Sequence, residues 1–281
     1  MCGRFACSLC PNIIKDKVKE SNINITNEWV NEDLFSPSFN VGPRKYIPVI
    51  RKTINNEVIM QSMQWGFIPS WTKDYPDRQP INARSDTLIG SSLFDQSKNK
   101  GRCIIVAEGF YEWKVLKSGK KIPYYTKRKD GKLMFFAGLY ALSHIDDKER
   151  YTCTIVTTDA SSFFEFLHDR MPVILENSSS DVNSWISNES WSKDQVKIMH
   201  PFTGELDCYQ VTDAVGSTRN NSPDFIIPVD QLKGSISNFF KKETKPWIME
   251  SKGIKRERMD SSIINLKDKK KQKITSFFNK Q

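Results

Sequence analysis

Short runs rich in β-branched and aromatic residues recur along the first 230 residues. Residues 46–52 (YIPVIRK) and 57–67 (EVIMQSMQWGF) read as strands, with Asn55-Asn56 between them as a turn. Segments 102–106, 123–127, 133–139 and 151–157 have the same character. Ser118-Gly119 and Asp130-Gly131 fall between runs as hairpin signals. Helical spacing is confined to 12–21, 161–166 and 182–187. Many short, closely spaced strands with few helices predict an α+β domain around a curved, antiparallel, barrel-like sheet. Periodicity alone leaves the topology open.

Beyond Ile226-Ile227-Pro228-Val229 the aromatic residues and the alternation thin out. A single domain is therefore expected over 1–230 and a disordered tail over 231–281. Charge sharpens that boundary. Residues 231–281 carry 14 Lys and Arg against 5 Asp and Glu, which accounts for the whole net charge of +9, and the first 230 residues are balanced at 28 of each. A basic tail on a neutral body binds polyanions or serves as a nuclear address. The chain has ample core material, with 17 Phe, 7 Trp and 8 Tyr. No stretch approaches 18 uncharged apolar residues, so no membrane span is expected. The start, MCGRFACSLC, lacks the basic-then-apolar pattern of a secretory signal. The six cysteines are accordingly expected as reduced thiols in cytosol or nucleus.

The candidate chemistry begins at Cys2. A small second residue permits removal of Met1, which would leave an α-amine and a thiol on one residue. Such a 1,2-aminothiol condenses with an aldehyde to an imine, and the thiol then closes a thiazolidine. The α-amine, with a pKa of about 7.7–8.0, is far less protonated near neutrality than a lysine. Cys2, Cys7 and Cys10 form C-x4-C-x2-C, but no closely spaced fourth ligand follows, so no metal is expected. His168 stands in FLHDRMPVIL, where Asp169 and Arg170 crowd it and Pro172 forces an extended turn. A histidine at a cleft edge is suited to proton transfer near pH 7. Glu112, in GFYEWK, is either a surface position on an alternating strand or a desolvated acid–base group.

Taken together, MCGRFA, FNVGPRKYIPV, WGFIPSW, INARSDT, RCIIVAEGFYEW and TTDASSFFEFLHDRMPVIL resemble the SRAP domain family. The blocks keep the family's order from Met1 to about Val229, and STRNNSPDFIIPV resembles its eukaryotic branch. The resemblance implies a single α+β domain that binds single-stranded DNA and reacts covalently with abasic sites. It assigns the nucleophile to Cys2, acid–base roles to Glu112 and His168, and the grip on the sugar to Asn82. It gives Arg4 and Arg84 to DNA phosphates and Trp71 and Trp113 to the bases. Two positions depart from the family's usual residues: Gly42 replaces a commoner Ala, and Val106 a frequent Pro. No cofactor is implied, and a monomer is expected. Two other readings are an N-terminal-cysteine peptidase and a non-covalent reader of modified or single-stranded DNA.

In the tail, Gln272-Lys273-Ile274-Thr275-Ser276-Phe277-Phe278 resembles the PCNA-interacting peptide box, Q-x-x-I-x-x-F-F, within 272–279. Ile274 and Phe277 are three apart, the period of a 3₁₀ turn, so they project to one side beside Phe278. Gln272 is expected to hydrogen-bond next to this plug. An earlier echo, Ile236 to Lys242, has Lys233 where the box takes Gln. These features imply a sliding-clamp partner and a nuclear location.

Overall fold

In the computed structural model, residues 2–26, 28–177 and 180–232 are described. The expected tail with Gln272, Ile274, Phe277 and Phe278 lies outside the described residues. The strands are β1 (Phe5–Cys7), β2 (Trp29–Val30), β3 (Ser38–Val41), β4 (Tyr46–Lys52), β5 (Val58–Trp65), β6 (Asn82–Arg84), β7 (Arg102–Ala107), β8 (Gly109–Val115), β9 (Lys121–Arg128), β10 (Met134–Ile145), β11 (Lys148–Asp159), β12 (Arg170–Pro172), β13 (Ile174–Leu175) and β14 (Leu206–Gln210). Among the described residues, five short α-helices accompany them: α1 (Pro11–Glu20), α2 (Ser85–Leu88), α3 (Asp95–Lys100), α4 (Ser180–Trp185) and α5 (Lys193–Ile198).

Five strands close a ring in the order β11, β10, β7, β4, β5 and back to β11. Four of these pairings are antiparallel, as expected. The closing one, Thr152 with Gln64 and Cys153 with Trp65, is parallel. The end of β11 outruns the ring and gains new neighbours, β6 on one side and β12 on the other. A second sheet, β14-β9-β8-β1-β3, is antiparallel throughout. Its inner side shares the main core through Phe5 and Phe110, and a smaller cluster of Ala6, Tyr111, Tyr125, Val211, Val215 and Phe225 fills the other side.

One residue, Glu108, separates β7 in the ring from β8 in the second sheet. Gly109 permits this abrupt transfer. A Cβ there would lie 2.5 Å from the Thr126 carbonyl oxygen and 2.6 Å from the Tyr125 ring. Glu108 in turn accepts hydrogen bonds from the backbone N–H and hydroxyl of Ser8, and so ties the end of β1 to the transfer point.

Local signals explain the turns. Asn56 adopts a left-handed φ of 64° between β4 and β5, and Gly119 a φ of 81° between β8 and β9, so both expected hairpins form. Gly131 also turns at φ 72°, but Asp130-Gly131 joins β9 to a strand of the other sheet. The hairpin expected there does not form, because β8 and β14 already occupy both edges of β9. The helix expected at 161–166 is instead a succession of turns, with Phe164 N–H bonded to the Ser161 carbonyl and Leu167 N–H to that of Phe164. The chain must return from β11 to β12 within this loop, and Ala160 N–H to the Asp169 carbonyl closes its neck at 2.9 Å.

Arg102 fastens the helical layer to the ring. Its buried guanidinium donates to the carbonyls of Trp185 (2.6 Å), Ser187 (2.6 Å) and Glu189 (2.8 Å), and to that of Lys98. Arg102→Met is expected to strand these acceptors and cost about 3 kcal/mol. Urea unfolding with an unchanged m-value would measure that loss.

Candidate active site

Strand β1 leads the amino-terminal residues onto β8. Phe5 pairs with Phe110 and Ala6 with Gly109, and Tyr111 N–H donates to the Arg4 carbonyl at 2.9 Å. Cys2 is thereby buried, 1% exposed, with its Sγ 4.0 Å from the Arg4 carbonyl oxygen. From the ring side, Asn82 at the start of β6 donates from Nδ2 to the Cys2 carbonyl at 2.9 Å. The Asn82 Oδ1 is buried without a hydrogen-bond partner.

Glu112 is 8% exposed, so it is buried and not the surface position that the alternating strand allowed. Its Oε1 accepts from Trp113 N–H at 3.2 Å. The Cys2 thiol is pushed up to about 12, first by burial and then by the Glu112 carboxylate. Near pH 7 the sulfur is therefore a neutral thiol.

His168 follows the 161–167 turns, and aromatic contacts fix where those turns sit. Phe164 packs on Phe110 at 5.4 Å between centroids, and Phe166 packs edge-on against Tyr124 at 5.8 Å. Phe110 lies two residues from Glu112 on β8, and Tyr124 is the cross-strand partner of Glu112. The His168 loop is thus laid over the part of β8 that carries Glu112. His168 Nδ1 lies 3.0 Å from Arg170 N–H and 2.6 Å from Asp169 Oδ1. The first contact needs a bare Nδ1 with the ring proton on Nε2, and the second needs Nδ1–H. The loop therefore offers Nδ1 a donor and an acceptor, one for each tautomer of the ring.

The four proposed DNA contacts divide into two pairs. Arg84 and Trp71 are open to solvent, with Trp71 58% exposed. Arg84 is two residues beyond Asn82 on β6, so both side chains leave the same face of the strand, about 6.6 Å apart along it. Arg4 is half-buried, and its guanidinium is held by the protein. It donates to Asn40 Oδ1 (2.6 Å), the Val215 carbonyl (2.9 Å) and the Gly216 carbonyl (3.5 Å). Its guanidinium covers the half-buried Trp113 ring at 5.7 Å. Cys7 is buried and Cys10 exposed, and among the described residues no group of three His, Cys, Asp or Glu is placed to hold a metal.

Sequence reasoning missed a charged lattice beside the site. Arg170, buried on β12, donates to the Thr157 carbonyl (2.7 Å) and pairs with Asp159 (3.0 Å) and Asp86 (3.6 Å). Asp86 holds Arg84 through two bonds, 2.7 and 3.2 Å. Both residues lie inside quoted blocks, and the available signal was a charged residue beside a strand of otherwise apolar character.

The model of the SOS response associated peptidase (SRAP) family matches residues 1–218. The chain belongs to the SRAP family. Among its relatives is Abasic site processing protein YMR114C of Saccharomyces cerevisiae, 33% identical over 87% of this chain and 72% of the relative. Abasic site processing protein YoqW of Bacillus subtilis is 36% identical over 80% of this chain and 99% of the relative. Abasic site processing protein HMCES of Xenopus tropicalis is 30% identical over 93% and 88%. A crystal structure of a Bacteroides thetaiotaomicron protein superposes with a TM-score of 0.67 at 25% identity, covering 80% of this chain and 99% of that one. The Gly42 departure has a local consequence in this SRAP domain. A Cβ at Gly42 would meet Thr218 Cγ2 at 3.0 Å and Arg4 Nε at 3.7 Å. Gly42→Ala is therefore expected to shift Thr218 by a few tenths of an ångström, with a change in melting temperature as the measure.

Proposed function

We propose that this chain captures abasic sites in single-stranded DNA as a thiazolidine formed by Cys2. The observation that carries the reading is the convergence on Cys2 of Asn82, with a bare buried Oδ1, and of the buried Glu112 carboxylate, whose charge acts on the thiol. Removal of Met1 frees the α-amine. The ring-opened deoxyribose presents an aldehyde at C1′. Glu112 takes a proton from the α-ammonium, and the amine adds to C1′. His168 donates a proton to the sugar ring oxygen as the ring opens. Loss of water gives the imine. The Cys2 S–H then adds across C=N, with sulfur on carbon and the proton on nitrogen, and the five-membered ring closes. Asn82 Oδ1 accepts a hydrogen bond from the amine or a sugar hydroxyl. The high thiol pKa fits this order, with amine first and thiol second. An imine left open would acidify C2′–H and break the strand by β-elimination, and thiol capture removes that path.

Arg84 supplies a sequence-blind phosphate contact, and Trp71 a base-stacking face worth about 1–3 kcal/mol per base. Intact mass after incubation with an abasic oligonucleotide tests the proposal. The expected product is protein plus DNA less one water. Cleavage of a peptide substrate without an adduct would support the peptidase reading instead. DNA affinity without an adduct, unchanged by Cys2→Ala, would support non-covalent binding.

The tail is proposed to dock on a sliding clamp of the PCNA type through Ile274, Phe277 and Phe278, and to direct the chain to the nucleus through Lys269–Lys271. One detail of the motif is corrected by residue count. Gln272 stands two residues before Ile274, and the position three before it is Lys271, as Lys233 is before Ile236. The two copies thus share a lysine where the box takes Gln, so the aromatic plug carries the binding. A peptide of residues 267–281 is expected to bind PCNA in calorimetry and to lose binding on joint Phe277→Ala and Phe278→Ala substitution. Absence of heat from the parent peptide would reduce the tail to a basic segment.

A further inference from the structure

Coulomb's law makes a carboxylate beside a phosphate-binding arginine unfavourable for DNA, yet Asp86 sits directly on Arg84. Asp86 Oδ2 accepts from Arg84 Nη2 at 2.7 Å and Oδ1 from Nε at 3.2 Å, so the guanidinium plane is held at two points. The carboxylate is itself fixed. Thr87 N–H donates to Oδ1 at 3.0 Å, and Arg170 Nη2 approaches the same oxygen at 3.6 Å. Arg170 is anchored by the Thr157 carbonyl and Asp159, while its buried Nε has no partner. The Arg84 hydrogen bonds, the largest cause, hold the Asp86 carboxyl down to about 2, so it is ionised at any working pH.

Two further carboxylates, Asp159 and Asp169, also act on Arg84 and are almost fully exposed. A freed Arg84 has those two anions to turn to and no longer a single fixed partner. The fixed fork instead holds the guanidinium in one orientation on β6, the strand that also carries Asn82. We infer that Asp86 is a positioning residue for DNA capture, which locks the Arg84 guanidinium toward the strand through a bridge to the buried Arg170. This rests on the abasic-site reading above and adds to it the residue that orients the phosphate contact.

The sign of one measurement decides it. Charge alone predicts that Asp86→Ala binds DNA more tightly, because a negative charge is gone. Positioning predicts weaker binding, by about tenfold, as one charge-assisted contact loses its preset geometry. The probe is a single-stranded oligonucleotide with an unreactive tetrahydrofuran abasic analogue, titrated by anisotropy over a salt series. The full chain carries Asp86→Ala or Asp86→Glu, and thermal melts establish that each variant is folded. The Ala variant should also lose about 0.7 from the slope of log K against log salt, one phosphate contact. Asp86→Glu should restore most of the affinity. Capture of free 2-deoxyribose, which has no phosphate, should proceed at the parent rate in both variants when read by intact mass. Equal or tighter binding by Asp86→Ala, no rescue by Glu, or slowed capture of free deoxyribose would each overturn the inference. A parent that binds the analogue but forms no adduct with a true abasic strand would instead overturn the crosslinking reading and leave the affinity comparison valid.

Discussion

Cys2→Ala is expected to abolish the stable DNA adduct entirely while leaving DNA affinity unchanged. Alanine is also small, so Met1 is still removed and the α-amine persists. The imine can then form, but nothing closes it. Strand scission by β-elimination should therefore rise as the crosslink disappears, and denaturing gels resolve both products. The contrast matters because simple loss of the fold would remove both. Cys2 is buried, so the substitution also deletes packed volume, yet at the chain terminus that costs less than in a mid-strand core position. The pH profile supplies a second check. With Met1 in place, burial and Glu112 push the thiol up to about 12. A rise in adduct rate between pH 6 and 9 is then expected to follow deprotonation of the α-amine, whose ordinary pKa is about 7.7–8.0. A rate still climbing steeply past pH 10 would mean that thiolate formation limits the reaction. A Cys2→Ala protein that crosslinks as stably as the parent would exclude the thiazolidine.

The sequence revealed the strands of the ring because they are runs of β-branched or aromatic residues, some bounded by a turn with its own chemistry, such as Asn55-Asn56. It did not reveal the closure. Gln64, Trp65, Thr152 and Cys153 carry no local mark of a parallel pairing across almost ninety positions. The misread Asp130-Gly131 has the same origin, since a turn signal fixes the backbone but not which sheet receives the next strand. Site residues were legible where type and neighbours constrain chemistry, as for Cys2 at the start and Glu112 among aromatics. The fate of Arg4 was not, because its acceptors Asn40, Val215 and Gly216 come from distant parts of the chain. Asp86 and Arg170 were missed for a related reason. Each looks like an ordinary surface charge until β6 and β12 are laid on either side of β11.

His168→Ala and Glu112→Ala are expected to slow adduct formation about 10²–10⁴-fold each, the usual contribution of a positioned acid or base. Binding to an unreactive abasic analogue should change little in either variant. The geometry predicts different signatures for the two. Glu112 is buried and its carboxylate acts on Cys2, so its loss is expected to act on the amine, and the slow rate should recover partly at higher pH as solvent deprotonates the α-ammonium. His168 is half-buried on a loop pinned by Phe164 and Phe166, so its loss acts on sugar opening. High pH should not rescue it. A small aldehyde that needs no ring opening should restore the His168→Ala rate and leave the Glu112→Ala rate low. Arg84→Glu should show the converse of both, a loss of affinity that added salt imitates in the parent and a normal rate once the strand is saturating. Equal losses of rate and affinity in all three variants would mean that these side chains hold the fold and take no part in proton transfer.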